Sequence, residues 1–307
     1  MKFGLHHASW LDDAGPAEAF EAARRKALWA EEQGFAWFSV QDHVIQTPRQ
    51  GVPEEPVLEG WAVLAALAAV TTRIRLGMLA SAVGFRNPAH LAKIAATVDL
   101  ISRGRLTLGL GAGFYEAEYS QYGWDFPPLA ATRIAQMAEA AELILKLWTL
   151  PRTTFDGRYF RVREAILEPK PVPRPPLLIA GGGEQLTLRV VARLADACNF
   201  SGGDPAEIRH TLDVLRRHCD AAGRDFAAIE KTYVRSWSLA RDAAAAAAKR
   251  ARSSSREPGF GFFGTPQEMV DLIGQYATAG IDMMIIGERN DTETLALFES
   301  EVMPHFG

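Results

Sequence analysis

Eight times along the chain, a short apolar run of strand length is followed by a longer segment with helical period. The strand runs fall at residues 2–5, 37–40, 74–79, 106–110, 177–180, 197–200, 232–239 and 283–286. The helical segments fall at 16–33, 57–70, 88–101, 132–148, 185–194, 205–222, 266–279 and 292–303. In the first of these, Ala19, Phe20, Ala23, Ala27 and Ala30 recur at spacings of three and four, and Gly34 ends the segment. Strand followed by helix, eight times over, predicts an α/β fold: a single (β/α)8 TIM barrel. A doubly wound sheet holds five or six such units and needs two of the weaker strands to be loops. No shift in composition divides the chain, so one barrel domain is expected over residues 1–307.

The insertions are expected where a barrel keeps its chemistry. Residues 41–56, 111–131 and 252–265 read as long loops after strands two, four and seven. Residues 151–176, with "FDGRYF" as the turn, read as a hairpin before strand five, and the alanine run 243–248 as a helix-forming stretch.

Bulk chemistry removes several functions. The net charge is -4 and the basic residues are scattered, which argues against a nucleic-acid partner. The apolar run 61–70 is half the length of a membrane span, and the N-terminus reads as a first strand rather than a leader. No membrane association is expected, and the cytoplasm is the expected location. Two cysteines, Cys198 and Cys219, are too few for a disulfide framework or a metal knuckle.

Strand two ends in "QDHV", which sets Asp42 and His43 on the rim of the barrel where barrel enzymes place reacting groups. Taken alone, the pair is better explained by Asp42 capping a loop and His43 filling the surface. Gly181, Gly182 and Gly183 follow strand five directly, where backbone N–H groups and a helix start suit a phosphate. Asn199, Ser201, Gly202 and Gly203 form a second segment of the same kind after strand six. "GLGAGFYEAE" after strand four has Phe114 where a dinucleotide fingerprint needs its third glycine. His6 and His7 point to opposite sides of one strand and cannot both ligate a metal, so no metal site is expected.

The blocks "DHV", "IRLGMLASAVGFRNPAHLAKIAATVDLISRGRLTLGLGAGFYEAEYSQYGWDFPP", "EPKPVPRPPLLIAGGGEQLTLRVVARLADACN" and "GTPQEMVDLIGQYATAGIDMMIIG" resemble the luciferase-like monooxygenase superfamily, and most of all its bacterial branch of deazaflavin-dependent oxidoreductases. The resemblance runs along nearly the whole chain. It implies a homodimer, a small-molecule substrate and hydride transfer with coenzyme F420. The alternatives are a flavin monooxygenase using FMN on the same fold, and a non-catalytic flavin-binding or metal-using barrel. It further implies that Asp42 lies against the cofactor ring and that His43 is the catalytic histidine. Leu79 and Ala80 would form a bulge with a non-proline cis peptide behind the ring. Ala112, Gly113, Gly181 to Gly183, Asn199 and Ser201 would hold the rest of the cofactor. His7, Trp10, Phe85, Phe114, Tyr115 and Trp124 are the residues expected to wall the substrate pocket. Sugar-phosphate dehydrogenases of the family carry a catalytic glutamate where this chain has Phe114, so their substrate is not expected here.

Overall fold

The structure, a computed structural model, describes residues 1–10, 15–48, 50–253, 261–288 and 291–307. Eight parallel strands close on themselves: β1 (Lys2–His7), β2 (Trp37–Val40), β3 (Arg75–Met78), β4 (Leu106–Gly111), β5 (Leu177–Ala180), β6 (Ala197–Phe200), β7 (Glu230–Leu239) and β8 (Met283–Glu288). Each pairs with the next in sequence, and β8 pairs with β1 from Lys2↔Met283 onward, which completes the expected barrel. No helix among the described residues is long and apolar enough to cross a membrane.

Period-two alternation separates an inner from an outer surface on every strand. Leu5, Phe38, Val40, Leu76, Leu106 and Leu108 face outward into one continuous core shared with the helices. Each such side chain contributes roughly 1.5–3 kcal/mol when fully buried. Trp37, Leu178, Ala197, Met283 and Ile285 fill the barrel itself. Gly77 makes room for the indole, because a Cβ there would sit 2.3 Å from the Trp37 ring.

The helices are α1 (Ala19–Glu32), α2 (Gly60–Val70), α3 (Pro88–Ser102), α4 (Glu116–Tyr122), α5 (Ala130–Thr149), α6 (Thr187–Leu194), α7 (Pro205–Ala222), α8 (Ala243–Arg252), α9 (Pro266–Ala279) and α10 (Thr292–Leu297). Capping boxes start α7 (Asp204 with Glu207) and α9 (Thr265 with Glu268), each with Pro at the first position. Helix α2 starts three residues later than its apolar pattern, because the Glu59 side chain accepts the Ala62 N–H as N-cap.

Two of the expected loops contain regular structure. Residues 111–131 include α4, whose polar surface masks its period. In the segment 252–265, residues 254–260 lie outside the described residues, and Gly261–Gly264 forms a strand beside β7. Strand β7 has ten residues, and its overhang past the barrel offers a free edge, covered where Phe262 packs on Trp237 at 5.3 Å. The expected hairpin is present as Thr153–Asp156 paired with Arg161–Ala165. Its turn is held by Glu139, whose carboxylate accepts the N–H groups of Arg158, Tyr159 and Phe160.

Candidate active site

The C-terminal ends of the strands bring the rim residues together. At the end of β2, Asp42 and His43 diverge, as neighbours in extended chain do. His43 turns toward α4, where its Nδ1 lies 2.8 Å from Glu118 Oε2. The other oxygen of Glu118 accepts the Val44 N–H at 2.8 Å. Phe114 stands edge-on to the His43 ring at 5.5 Å.

Asp42 turns toward the loop after β3 instead. Arg86 Nη1 donates to its Oδ2 at 2.7 Å, and Arg86 Nη2 donates to Glu59. Burial raises the Asp42 carboxyl to about 6 against the opposing pull of Arg86, with Glu59 adding to the rise. Beside Asp42, the Gln41 side chain is 2% exposed, and neither its Oε1 nor its Nε2 is bonded within the described residues.

The peptide bond between Leu79 and Ala80 is cis, at the place expected for it. The chain there crowds against β4: a Cβ on Gly109 would fall 2.1 Å from the Met78 carbonyl oxygen. Ser81 and Ala82 then pair with Leu110 and Gly111, and Trp61 Nε1 donates to the Ser81 hydroxyl at 3.0 Å. Ala112 and Gly113 continue from β4. Gly113 has φ 77°, and a Cβ there would meet the Tyr119 hydroxyl at 2.0 Å. Burial, with help from Glu118, pushes the Tyr119 phenol up to about 12.

After β5, Gly181 (φ 125°) donates its N–H to the Asn199 carbonyl at 3.0 Å, tying the two glycine-rich turns together. The N–H groups of Gly182, Gly183 and Gly202 find no acceptor among the described residues, and α6 begins beside them without a side-chain cap. Asn199 points its amide at Thr232 (2.8 Å), while Ser201 is exposed on the rim. Tyr276 and Tyr233 both donate toward the Gly203 carbonyl, at 2.9 and 3.1 Å. Unpaired N–H groups beside a helix start are the kind of arrangement that suits an anion.

The aromatic wall differs from the expectation in part. Phe114, 60% exposed, and the half-buried Tyr115 stand on the open rim. Phe85 and Trp124 stack at 4.6 Å within a cluster around Tyr119 and support α4 from below. His7 is 1% exposed and packs on Trp10 at 4.6 Å and Phe38 at 6.3 Å. His7 and Trp10 therefore belong to the layer between barrel and helices, not to the open pocket. The reason is the alternation of β1: Leu5 and His7 face out, so His6 faces in, and its Nδ1 lies 3.0 Å from the Ser39 hydroxyl. Burial, and secondarily the charge of His43, hold the His6 pKa down at about 4.

Sequence reading missed His6, Arg86, Glu118 and Tyr119. Alternation set His6 and His7 on opposite faces of β1 without deciding which face becomes the inside. Glu118 and Tyr119 were hidden by reading their helix as loop, and nothing local marked Arg86.

The closed α/β barrel gathers a carboxylate-bound histidine and two glycine-rich turns on its strand-end rim, where enzymes of the (β/α)8 class place their reacting groups. The chain belongs to the luciferase-like monooxygenase family, whose sequence model matches residues 1–259. An F420-dependent glucose-6-phosphate dehydrogenase of Kineococcus radiotolerans is 32% identical over 209 residues, covering 67% of this chain and 60% of that protein. An uncharacterized protein of Mycobacterium tuberculosis is 32% identical over 213 residues, covering 65% of this chain and 74% of that one. Among solved structures, an F420-dependent secondary alcohol dehydrogenase bound to an F420-acetone adduct superimposes over 100% of both chains, with a TM-score of 0.84 and 22% identity. EDTA monooxygenase from Chelativorans sp. BNC1 superimposes over 99% of this chain and 93% of its own, with a TM-score of 0.84 and 17% identity. At those identities the two structures share the fold.

Proposed function

We propose that this protein is an oxidoreductase that transfers hydride between coenzyme F420 and a small organic substrate, acting as one barrel domain. The observation that carries the reading is the relationship to F420-dependent dehydrogenases at about one-third identity over two-thirds of the chain. The rim fits the cofactor. The free N–H groups of Gly182, Gly183 and Gly202 suit its phosphate, and the unbonded Gln41 amide offers a donor and an acceptor to a polar ring edge. Ala80, packed against the glycine positions Gly109 and Gly111 of β4, offers a small apolar support for a ring.

Bound there, the deazaflavin supplies a hydride acceptor or donor that reacts poorly with oxygen. The protein's own contribution is positional. Asp42, tied to Arg86, anchors the loop that bears the cis peptide. His43 exchanges the proton that accompanies hydride. Phe114 and Tyr115 cover the substrate side. Phe114 occupies the place of the sugar-phosphate dehydrogenases' glutamate, so their substrate is not carried over.

The same reading includes a homodimer, and the outer face of α2 supports it. That helix has no charged residue, and Ala62, Ala69 and Val70 are exposed on it. A cytoplasmic location accords with two free, buried cysteines.

Fluorescence titration of the purified protein with F420 and with FMN tests the cofactor. F420 is expected to bind more tightly, and Gly182→Asp to weaken it at least tenfold, about 1.4 kcal/mol. FMN binding as tightly, with oxygen consumption, would replace this reading with a flavin monooxygenase.

A further inference from the structure

His43 and Glu118 stand 75 residues apart in sequence and meet only through the closed barrel. The carboxylate is 1% exposed at its side chain, and its two oxygens are committed separately, Oε2 to His43 Nδ1 and Oε1 to the Val44 N–H. An ionised carboxylate only accepts hydrogen bonds. The proton between the two groups therefore belongs to Nδ1, and the Val44 N–H fixes the plane in which the carboxylate receives it. Once Nδ1 carries that proton, the neutral ring has its lone pair on Nε2, the nitrogen away from Glu118.

We propose that Glu118 is a positioning residue that selects the Nδ1–H tautomer of His43 and leaves Nε2 as the atom that exchanges a proton with substrate. The assignment rests on reading the site as that of a hydride-transferring oxidoreductase. Oxidation of a substrate breaks one C–H and one O–H bond: the hydride passes to the cofactor, and Nε2 accepts the proton. The resulting imidazolium keeps its Nδ1–H bonded to Glu118, so the charge formed in the step faces a carboxylate already in place. Reduction runs the same two transfers in reverse. The chain departs here from a glutamate placed directly on the strand-four glycine. Its carboxylate comes one helical turn later and acts through the histidine.

Two-bond 1H–15N correlation spectra of the protein labelled at histidine test this without cofactor or substrate. The His43 signals are assigned by their loss in His43→Gln. In the wild type, Nδ1 is expected to be the protonated nitrogen and Nε2 the bare one. In Glu118→Ala the Nδ1–H form is expected to give way to the Nε2–H form, with the fold intact by circular dichroism. A wild-type His43 protonated at Nε2, or a tautomer unchanged in Glu118→Ala, overturns the proposal. Should Glu118→Ala fail to fold, the wild-type spectrum decides alone. A correct tautomer with no F420 binding would overturn the cofactor reading and leave the Glu118–His43 relation standing.

Discussion

Asp42 shows how one side chain can sit in a functional place and still be governed by its surroundings. Its carboxyl, raised by burial from 3.8 to about 6, holds a proton in the folded chain over a range where the unfolded chain has released it. A group raised in this way contributes stability that is full below the unfolded value and lost as pH rises through the folded one. Wild type is therefore expected to lose up to about 3 kcal/mol more than Asp42→Asn on going from about pH 4 to about pH 7. Asparagine keeps the shape and an acceptor for Arg86. Urea unfolding of both proteins across that range measures the difference, and parallel curves would mean that Asp42 titrates alike in both states. Asp42 and His43 were both legible in the sequence as rim residues. That one would bind Arg86 and the other Glu118 was not, because neither partner lies within a local window of the pair.

Among the elements, β4 and the bulge after β3 depend on each other through space that only glycine leaves. A Cβ on Gly109 would fall 2.1 Å from the backbone oxygen of Met78, and backbone cannot swing aside as a flexible side chain can. Gly109→Ala is expected to destabilise the protein by about 2 kcal/mol or more and to weaken F420 binding, since the bulge must move. Gly274, inside α9 with nothing within 4 Å of an added Cβ, is the control. Gly274→Ala is expected to stabilise by about 0.5–1 kcal/mol without touching the cofactor. Urea denaturation of both variants, with an F420 titration of each, tests the contrast. Helix α4 is the other element that matters, because consecutive residues serve two purposes. Glu118 reaches His43, and Tyr119 fills the space left by Gly84 and Gly113. Residues 116–122 were missed as a helix because seven residues give too little period to read.

At the scale of the whole molecule, α2 has no charged residue on its exposed face, and a helix apolar on all sides is normally covered. Light scattering is expected to give twice the chain mass, and the pair Ala62→Glu and Ala69→Glu to give one. A monomer in the wild type would refute the dimer. The sequence alone determined the eight strand and helix units, their order and the rim positions of Asp42, His43, Gly113 and Gly181 to Gly183. Those follow from periods of about two and 3.6 residues, which are properties of short stretches of chain. Only the tertiary structure decided that His6 rather than His7 faces the barrel, that Arg86 takes Asp42, and that Glu118 takes His43. Which strand face becomes the inside, and which loops then meet across the rim, is settled when β8 pairs with β1 and the ring closes.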